Sequence, residues 1–366
     1  MERTYAGTLR RQDIGSTVKL SGWAWRIRDH GGVLFIDLRD TSGVCQVVCN
    51  PEKSMESFQV AEKVRNEFVL SVEGLVEART EDTINPKMET GEIEVMASRL
   101  EILNVADPLP MIIEDDLDAS EEVRLKYRYL DLRRPEMQRR FKLRHQAYQI
   151  TRRYLDRQGF LEIETPVLAK STPEGARDFL VPCRFSPGTF YALPQSPQLF
   201  KQLFMVSGLD RYFQIVKCFR DEDLRGDRQQ EFTQIDLEMS FSGVDEVCTL
   251  VEGLITTILR ETIGVEIPVP LRRLPYSEAM SRFGSDKPDT RFGLELGSIN
   301  DIAGRCEFKV FRDVVDSKGL VSGINLKGCG GTFSRKEIDD LIAFCQQFGA
   351  KGMAYFKVTE KGLEGS

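Results

Sequence analysis

Residues 17 to 104 read TVKLSGWAWRIRD, VLFIDLRD, VCQVVCN, a helical MESFQVAEKVRNE, then FVLSVEGLVEAR and GEIEVMASRLEIL. The apolar runs are short, rich in branched and aromatic residues, and separated by glycine, aspartate and asparagine, which marks strands. Three strands, a helix and two strands is the order expected of an OB-fold, a small barrel whose exposed face often binds single-stranded oligonucleotides. Arg26, Arg28, Phe35 and Gln46 suit that use. They offer guanidinium, ring and amide groups that can hold phosphates, stack a base and read a base edge. Phe35 reads equally well as ordinary barrel core.

At 366 residues the chain is too long for one small domain, and 41% apolar residues can build real cores. No run approaches the roughly 20 apolar residues of a membrane span, and MERTYAGTLRRQD lacks the apolar core of a signal peptide, so a cytoplasmic protein without membrane contact is expected. The eight cysteines form no disulfide framework. Cys45 and Cys49 read as strand residues rather than zinc ligands, since only His30 and His145 could help, and no metal-ligand set is expected within the chain. A net charge of −7 argues against a protein that coats nucleic acid indiscriminately. The basic stretch from Arg124 to Arg157 reads as a solvated helix face.

The chain divides, on pattern, into a barrel over 1–105, a linker or hinge over 106–134, a second domain over 135–286 and a partial unit over 287–366. The linker begins NVADPLPMIIEDDLDAS, with two prolines and an acidic cluster, before Ser120 caps a helix start. After Pro135, Leu143, Ala147, Ile150 and Tyr154 recur at helical spacing and predict a long helix to Gly159. Strands are expected to dominate from Phe160 to about 285. In the tail, CEFKVFRDVVDS reads as a strand, SRKEIDDLIAFCQQFGA as a helix and GMAYFKV as a strand, the opening half of a small α+β unit. The whole is α+β.

Two strand-like runs, YFQIVKCF and FTQIDLEMSF, are joined by the charged FRDEDLRGDRQQEF, residues 219–232. Hairpin loops usually run about two to five residues, so this one is a solvated excursion or a binding element. In the second strand Thr233, Ile235, Leu237, Met239 and Phe241 make an apolar face, and Gln234, Asp236, Glu238 and Ser240 a polar one. That polar face predicts the floor of a wet cleft.

Three further stretches stand with the hairpin: GFLEIETPVL at 159–168, STPEGARDF at 171–179 and LPQSPQLFKQ at 193–202. In this order they resemble the class II aminoacyl-tRNA synthetases, with wording closest to the bacterial aspartyl enzymes, and YRYLDLRRPEM and GSDKPDTRF extend the resemblance along the chain. The resemblance implies an OB-fold anticodon-binding domain, an antiparallel-sheet catalytic domain and the start of an insertion domain. It implies ATP-dependent activation of L-aspartate to aspartyl-adenylate, with Mg²⁺, and transfer to tRNA(Asp) and also tRNA(Asn). It implies a homodimer through the first motif, GFLEIETPVL, whose alternation reads structurally as an edge strand broken by Pro166.

By the same resemblance Arg220 bridges the amino-acid carboxylate and the α-phosphate, where negative charge builds up and must meet a fixed cation. Asp221, Glu222, Gln229 and Phe232 line the ATP site, Phe232 beneath the adenine. Glu174, on a mobile loop, and Asp236 take the substrate ammonium, and Lys201, with Gln198 beside it, takes the side-chain carboxylate. Lys201 reads otherwise as a solvated helix lysine, except that Leu199, Phe200 and Leu203 set it where a helix meets the core. Arg26, Arg28, Phe35 and Gln46 become anticodon contacts, and His30 and Asp82 govern discrimination between the two tRNAs. The family's third, glycine-rich motif is missing. GCGGTFSR at 328–335 precedes a polar-faced helix and is not that motif, so the chain is expected to be an N-terminal fragment, inactive alone. The competing reading is a non-catalytic RNA-binding fragment or relative that uses the barrel. An asparagine or lysine paralogue is opposed by STPEGARD and Lys201, because a neutral or cationic side chain would not favour a fixed lysine.

Overall fold

The computed structural model describes residues 2–350, 352–360 and 362–365. It comprises two compact units, Met1–Gln149 and Ile150–Ser366. In the first, β1 (Thr17–His30), β2 (Val33–Asp40), β3 (Gly43–Cys49), α1 (Met55–Ala61), β4 (Val69–Ala78) and β5 (Ile93–Asn104) close a barrel in the order β1-β2-β3-β5-β4. β4 returns to pair with β1, and the β3–β5 pairing is parallel. Period-two alternation fills the interior: Val18, Leu20 and Ala24 from β1, Leu34, Ile36 and Leu38 from β2, Cys45, Val47 and Cys49 from β3. Gly22 lets β1 approach β2, since a Cβ there would sit 2.4 Å from the Arg39 carbonyl oxygen.

One irregularity decides which side chains the barrel shows to solvent. The β1–β2 register shifts between Ala24 and Arg26, a β-bulge. The extra residue changes the phase of β1, so Ile27 packs on the core and Arg28 turns outward beside Asp37. Phe35 lies on the same outer face, part-exposed and outside the core, because its neighbours Leu34 and Ile36 take the inward positions. The core reading of Phe35 is thereby corrected.

Residues 106–134 carry α2 (Glu121–Lys126) and α3 (Arg128–Asp131), with Met111, Ile113 and Leu130 buried together as a core of their own. Ser120 caps α2 by accepting from the Val123 N–H at 3.4 Å. The long helix α4 (Pro135–Arg157) follows as the apolar spacing predicts.

The second unit contains β6 (Leu161–Glu162), β7 (Leu180–Pro182), β8 (Phe190–Ala192), α5 (Gln198–Val206), β9 (Arg211–Phe219), β10 (Glu231–Met239), α6 (Val244–Ile263) and α7 (Tyr276–Phe283). β9 and β10 pair antiparallel and β6 adds parallel to β9, so β6 is the outer strand of the order β10-β9-β6. Leu155, Phe160, Phe213, Leu250 and Leu254 form the core beneath it, with Leu237 and Met239 against them. The expectation that strands dominate 160–285 is overturned by α5, α6 and α7. In α6 the residues Val247, Leu250, Leu254 and Ile258 follow the helical period, but numerous Val, Ile and Thr residues give the segment strand-like composition.

Beyond lie β11 (Leu296–Ser298), α8 (Asn300–Ala303), α9 (Lys309–Asp316), β12 (Ser322–Ile324), α10 (Arg335–Gln347), β13 (Phe356–Thr359) and β14 (Gly362–Gly365). The strand expected in CEFKVFRDVVDS is helix α9. Phe308 and Phe311 meet edge to face at 4.9 Å, the contact of residues one helical turn apart. The helix in SRKEIDDLIAFCQQFGA is α10, capped by Ser334 and Glu337.

Candidate active site and nucleic-acid face

The antiparallel register of β9 and β10 sorts side chains onto two faces. Asp236 stands opposite Gln214, Glu238 opposite Tyr212 and Phe232 opposite Cys218. This face lies away from the core that takes Leu237 and Met239, and α5 packs upon it through Phe204, whose ring meets Tyr212 at 5.3 Å. Lys201 projects from the same helix and is 9% exposed. Its ammonium donates to Asp236 Oδ1 at 3.0 Å and pairs with Glu238 at 3.3 Å. The solvated-lysine reading is thus corrected: the apolar residues around Lys201 bury it beside β10.

Burial weakens the charged form of Lys201, yet Asp236 and Glu238 outweigh it and hold its pKa above the ordinary value. Burial raises the Asp236 carboxyl, and Lys201 pulls it only part of the way back. The second oxygen of Asp236, Oδ2, is buried and has no hydrogen-bond donor among the described residues. A native pKa above the unfolded one means that the ionised carboxylate costs stability at neutral pH, a cost relieved as the pH falls toward that native pKa. The pocket therefore holds an acceptor that lacks a donor.

Glu174 reaches the same place from the preceding loop. Its carboxylate accepts from the Thr172 hydroxyl at 2.9 Å and the Ser196 hydroxyl at 2.6 Å. The convergence is read by Cys218, a buried thiol pushed up to about 11 by burial and then influenced by Asp236, Arg220, Glu174 and Lys201. Gln198 opens α5, its backbone N–H donating to Ser196 Oγ at 3.3 Å.

The charged loop is shorter than expected by one residue, since β10 already includes Glu231. Arg220 is held at its base by a backbone bond to Gln230 of 2.8 Å, and its guanidinium lies over the Phe232 ring, 5.1 Å from the centroid. The Asp221 N–H donates to the Arg177 carbonyl at 2.9 Å, which ties this loop to the Glu174 segment. Glu222 pairs with Arg228 at 3.9 Å, and Gln229 is exposed. The site thus brings together Glu174, Lys201, Arg220 and Asp236. Residues not singled out from sequence are Glu238, Gln195, Ser196 and Cys218. Glu238 was visible as part of the polar face; Gln195 and Ser196 stand in QSPQ next to Gln198.

On the barrel, Arg28 donates twice to Asp37, at 2.8 and 2.7 Å, and to Gln46 Oε1 at 3.1 Å. Gln46 donates in turn to Glu94 at 2.9 Å. Two expected contacts are therefore fixed to one another. Arg26 stacks on Trp25 at 4.2 Å and pairs with Glu114 at 2.7 Å. His30 meets Phe35 edge to face at 5.8 Å, and Asp82 is exposed in the short turn Glu81–Thr83.

The profile of the tRNA synthetases class II (D, K and N) matches residues 120–356, and that of the OB-fold nucleic acid binding domain matches 18–103. The chain belongs to the class II tRNA synthetases. It is 58% identical over 359 residues to an aspartate–tRNA(Asp/Asn) ligase of Persephonella marina, covering 98% of this chain and 59% of that protein. An aspartate–tRNA(Asp/Asn) ligase of Bacillus mycoides is 56% identical over 365 residues, covering 100% of this chain and 62% of that one. The chain thus spans about three fifths of the length of these relatives. Among solved structures it is similar to an asparaginyl-tRNA synthetase from Pyrococcus horikoshii complexed with asparaginyl-adenylate, with a TM-score of 0.64 and 25% identity over 72% of this chain and 59% of that one. A putative aspartyl-tRNA synthetase from Leishmania major shares the fold, with a TM-score of 0.61 and 22% identity over 72% of this chain and 56% of that one. Among the described residues no helix is long and apolar enough to cross a membrane.

Proposed function

We propose that this class II synthetase chain carries the anticodon barrel and the amino-acid-activating site of an aspartate–tRNA ligase that charges tRNA(Asp) and tRNA(Asn). The observation that carries the reading is Lys201, buried against Asp236 and Glu238 beside an Asp236 oxygen without a donor. A ligand bearing an ammonium and a side-chain carboxylate answers both features at once. The ammonium is the missing donor for Asp236, with Glu174 as its second acceptor, and Lys201 shares its charge with the side-chain carboxylate beside Gln198.

In the reaction the α-carboxylate oxygen attacks the α-phosphorus of ATP, supplied as its Mg²⁺ complex. The bond to the bridging oxygen breaks, and pyrophosphate leaves with that electron pair. Arg220 faces the charge that develops on the α-phosphate. Asp221, Glu222 and Gln229 border the nucleotide and Phe232 stacks the adenine. The Phe232 ring is partly exposed, and a cation–π contact outside a desolvated site is worth only about 0.5–1 kcal/mol, so adenine can replace the Arg220 guanidinium over Phe232. Among the described residues no group of three or more His, Cys, Asp and Glu side chains is placed to hold a metal ion.

Homodimer formation through 159–168 belongs to the same proposal. It is supported by the outer position of β6 and the exposure of Leu161, Val167 and Leu168. The test of the chemistry is aspartate-dependent ATP–pyrophosphate exchange by the product of the whole gene. Arg220→Ala is expected to lower the rate about 10²–10³-fold, with melting temperature unchanged. Ordinary exchange by that variant would refute the assignment of Arg220.

A further inference from the structure

The segment that carries Glu174 belongs to no extended sheet, yet it is bound in a regular way by one buried side chain. Gln195 is 2% exposed. Its amide oxygen accepts from the Ala176 N–H at 3.0 Å, and its amide nitrogen donates to the Ala176 carbonyl at 2.9 Å. One side chain thus satisfies both backbone groups of a single residue, as the facing residue of an antiparallel strand would. The same nitrogen also donates to Asp178 Oδ1, and Asp178 accepts from the Ser171 hydroxyl on its other oxygen. The next residue continues the attachment, Ser196 donating to Glu174. Gly175 lies between the two attached residues with φ of 106°, a conformation that a side chain would strain, and it allows Glu174 and Ala176 both to meet the 195–196 pair.

We propose that Gln195, assisted by Ser196, is a positioning residue that fixes the Glu174 carboxylate relative to Lys201 and so sets the affinity for the amino acid without touching it. The inference rests on the proposed amino-acid site, which it deepens. Its physical basis is the short covalent path. Gln195 and Ser196 are followed directly by Pro197 and by α5, so the peptide that binds the Glu174 segment also leads into the helix that holds Lys201. A buried amide with both N–H donors used and its oxygen engaged holds the segment in a register that cannot change without breaking several bonds together. The Coulombic influence of Glu174 on the buried Asp236 agrees with a carboxylate held close by.

The first measurement needs no substrate. Hydrogen–deuterium exchange of the purified protein should show the Ala176 amide protected, and Gln195→Leu should speed its exchange at least about tenfold while β10 amides keep their rates. The second is pyrophosphate exchange by the whole gene product. There Gln195→Leu should raise KM for aspartate about ten- to a hundredfold, with KM for ATP and kcat within about twofold, because a displaced positioning group loses binding geometry. Should Gln195→Leu unfold the unit, Gln195→Glu serves instead. It keeps an acceptor for the Ala176 N–H but sets a carboxylate against Asp178, and Asp178→Asn added to it should recover most of the lost aspartate affinity. The proposal is overturned if the Ala176 amide exchanges equally fast in the parent and the variant, or if KM for aspartate does not move. A parent protein that keeps the Ala176 protection but shows no aspartate-dependent exchange would contradict the functional reading and leave the Gln195 attachment standing.

Discussion

Two polar clusters of this molecule are built from similar groups and end in opposite states. On the barrel, Arg28 is matched to Asp37 by two short bonds and to Gln46 by a third, so cation and carboxylate complete each other. Beside β10, one lysine stands among Asp236 and Glu238, and an Asp236 oxygen is left buried without a donor. The first arrangement ties the outer face of the barrel together beside the part-exposed ring of Phe35 and the exposed ring of His30, which the proposed function assigns to nucleic-acid contact. The second holds an electrostatic imbalance, which the proposed function assigns to an incoming ammonium. Exposed polar groups that satisfy one another suit recognition by shape and stacking, whereas a buried polar group left unsatisfied suits capture of a small charged ligand.

The largest effect that separates the two belongs to Lys201. Lys201→Met would leave two carboxylates near each other without their cation, and removing one partner of a buried pair costs about 3–5 kcal/mol. Chemical denaturation should show a loss of that size together with loss of aspartate binding. A variant as stable as the parent would mean that the pair is solvated and the contrast false.

Phe35→Ala sharpens the other side. Stacking of a base on an aromatic platform is worth about 1–3 kcal/mol, so RNA affinity should fall by that amount. Because Phe35 lies outside the barrel core, the melting temperature should stay nearly constant. A drop in melting temperature with unchanged affinity would return Phe35 to a packing role. The smallest expected effect is His30→Leu. The ring of His30 rests against Phe35, and exchanging it should lower charging of tRNA(Asn) relative to tRNA(Asp) about tenfold or less, within the range of one altered base contact. An unchanged ratio would remove His30 from discrimination.

The barrel was legible because its strands obey a period of two and its connections are short, so Leu34, Ile36 and Leu38 announce their inward direction without knowledge of partners. The bulge after Ala24 was not legible, and it is what turns Arg28 toward Asp37. Helices α6 and α9 were obscured by β-branched residues, whose local strand preference gives way when a helical stripe can be buried. In the site, Arg220, Lys201 and Asp236 were found through motif resemblance, and their convergence follows from strand register. Their pairing was not legible: Lys201 meets Asp236 across a separation of 35 residues, and Gln195 meets Ala176 across 19. Such contacts depend on how helix and loop are seated over the sheet, which no local pattern encodes.

Lys201 is held among carboxylates, and in the proposed site a side-chain carboxylate, and not an amide, completes the pocket. Initial rates of ATP–pyrophosphate exchange with aspartate and with asparagine, measured on the whole gene product, test this most directly. A site built to bond a particular polar group rejects an analogue lacking it by large factors, so kcat/KM for aspartate should exceed that for asparagine by at least about 10²-fold. Equal values, or a preference for asparagine, would contradict the assignment of Lys201 and with it the proposed substrate.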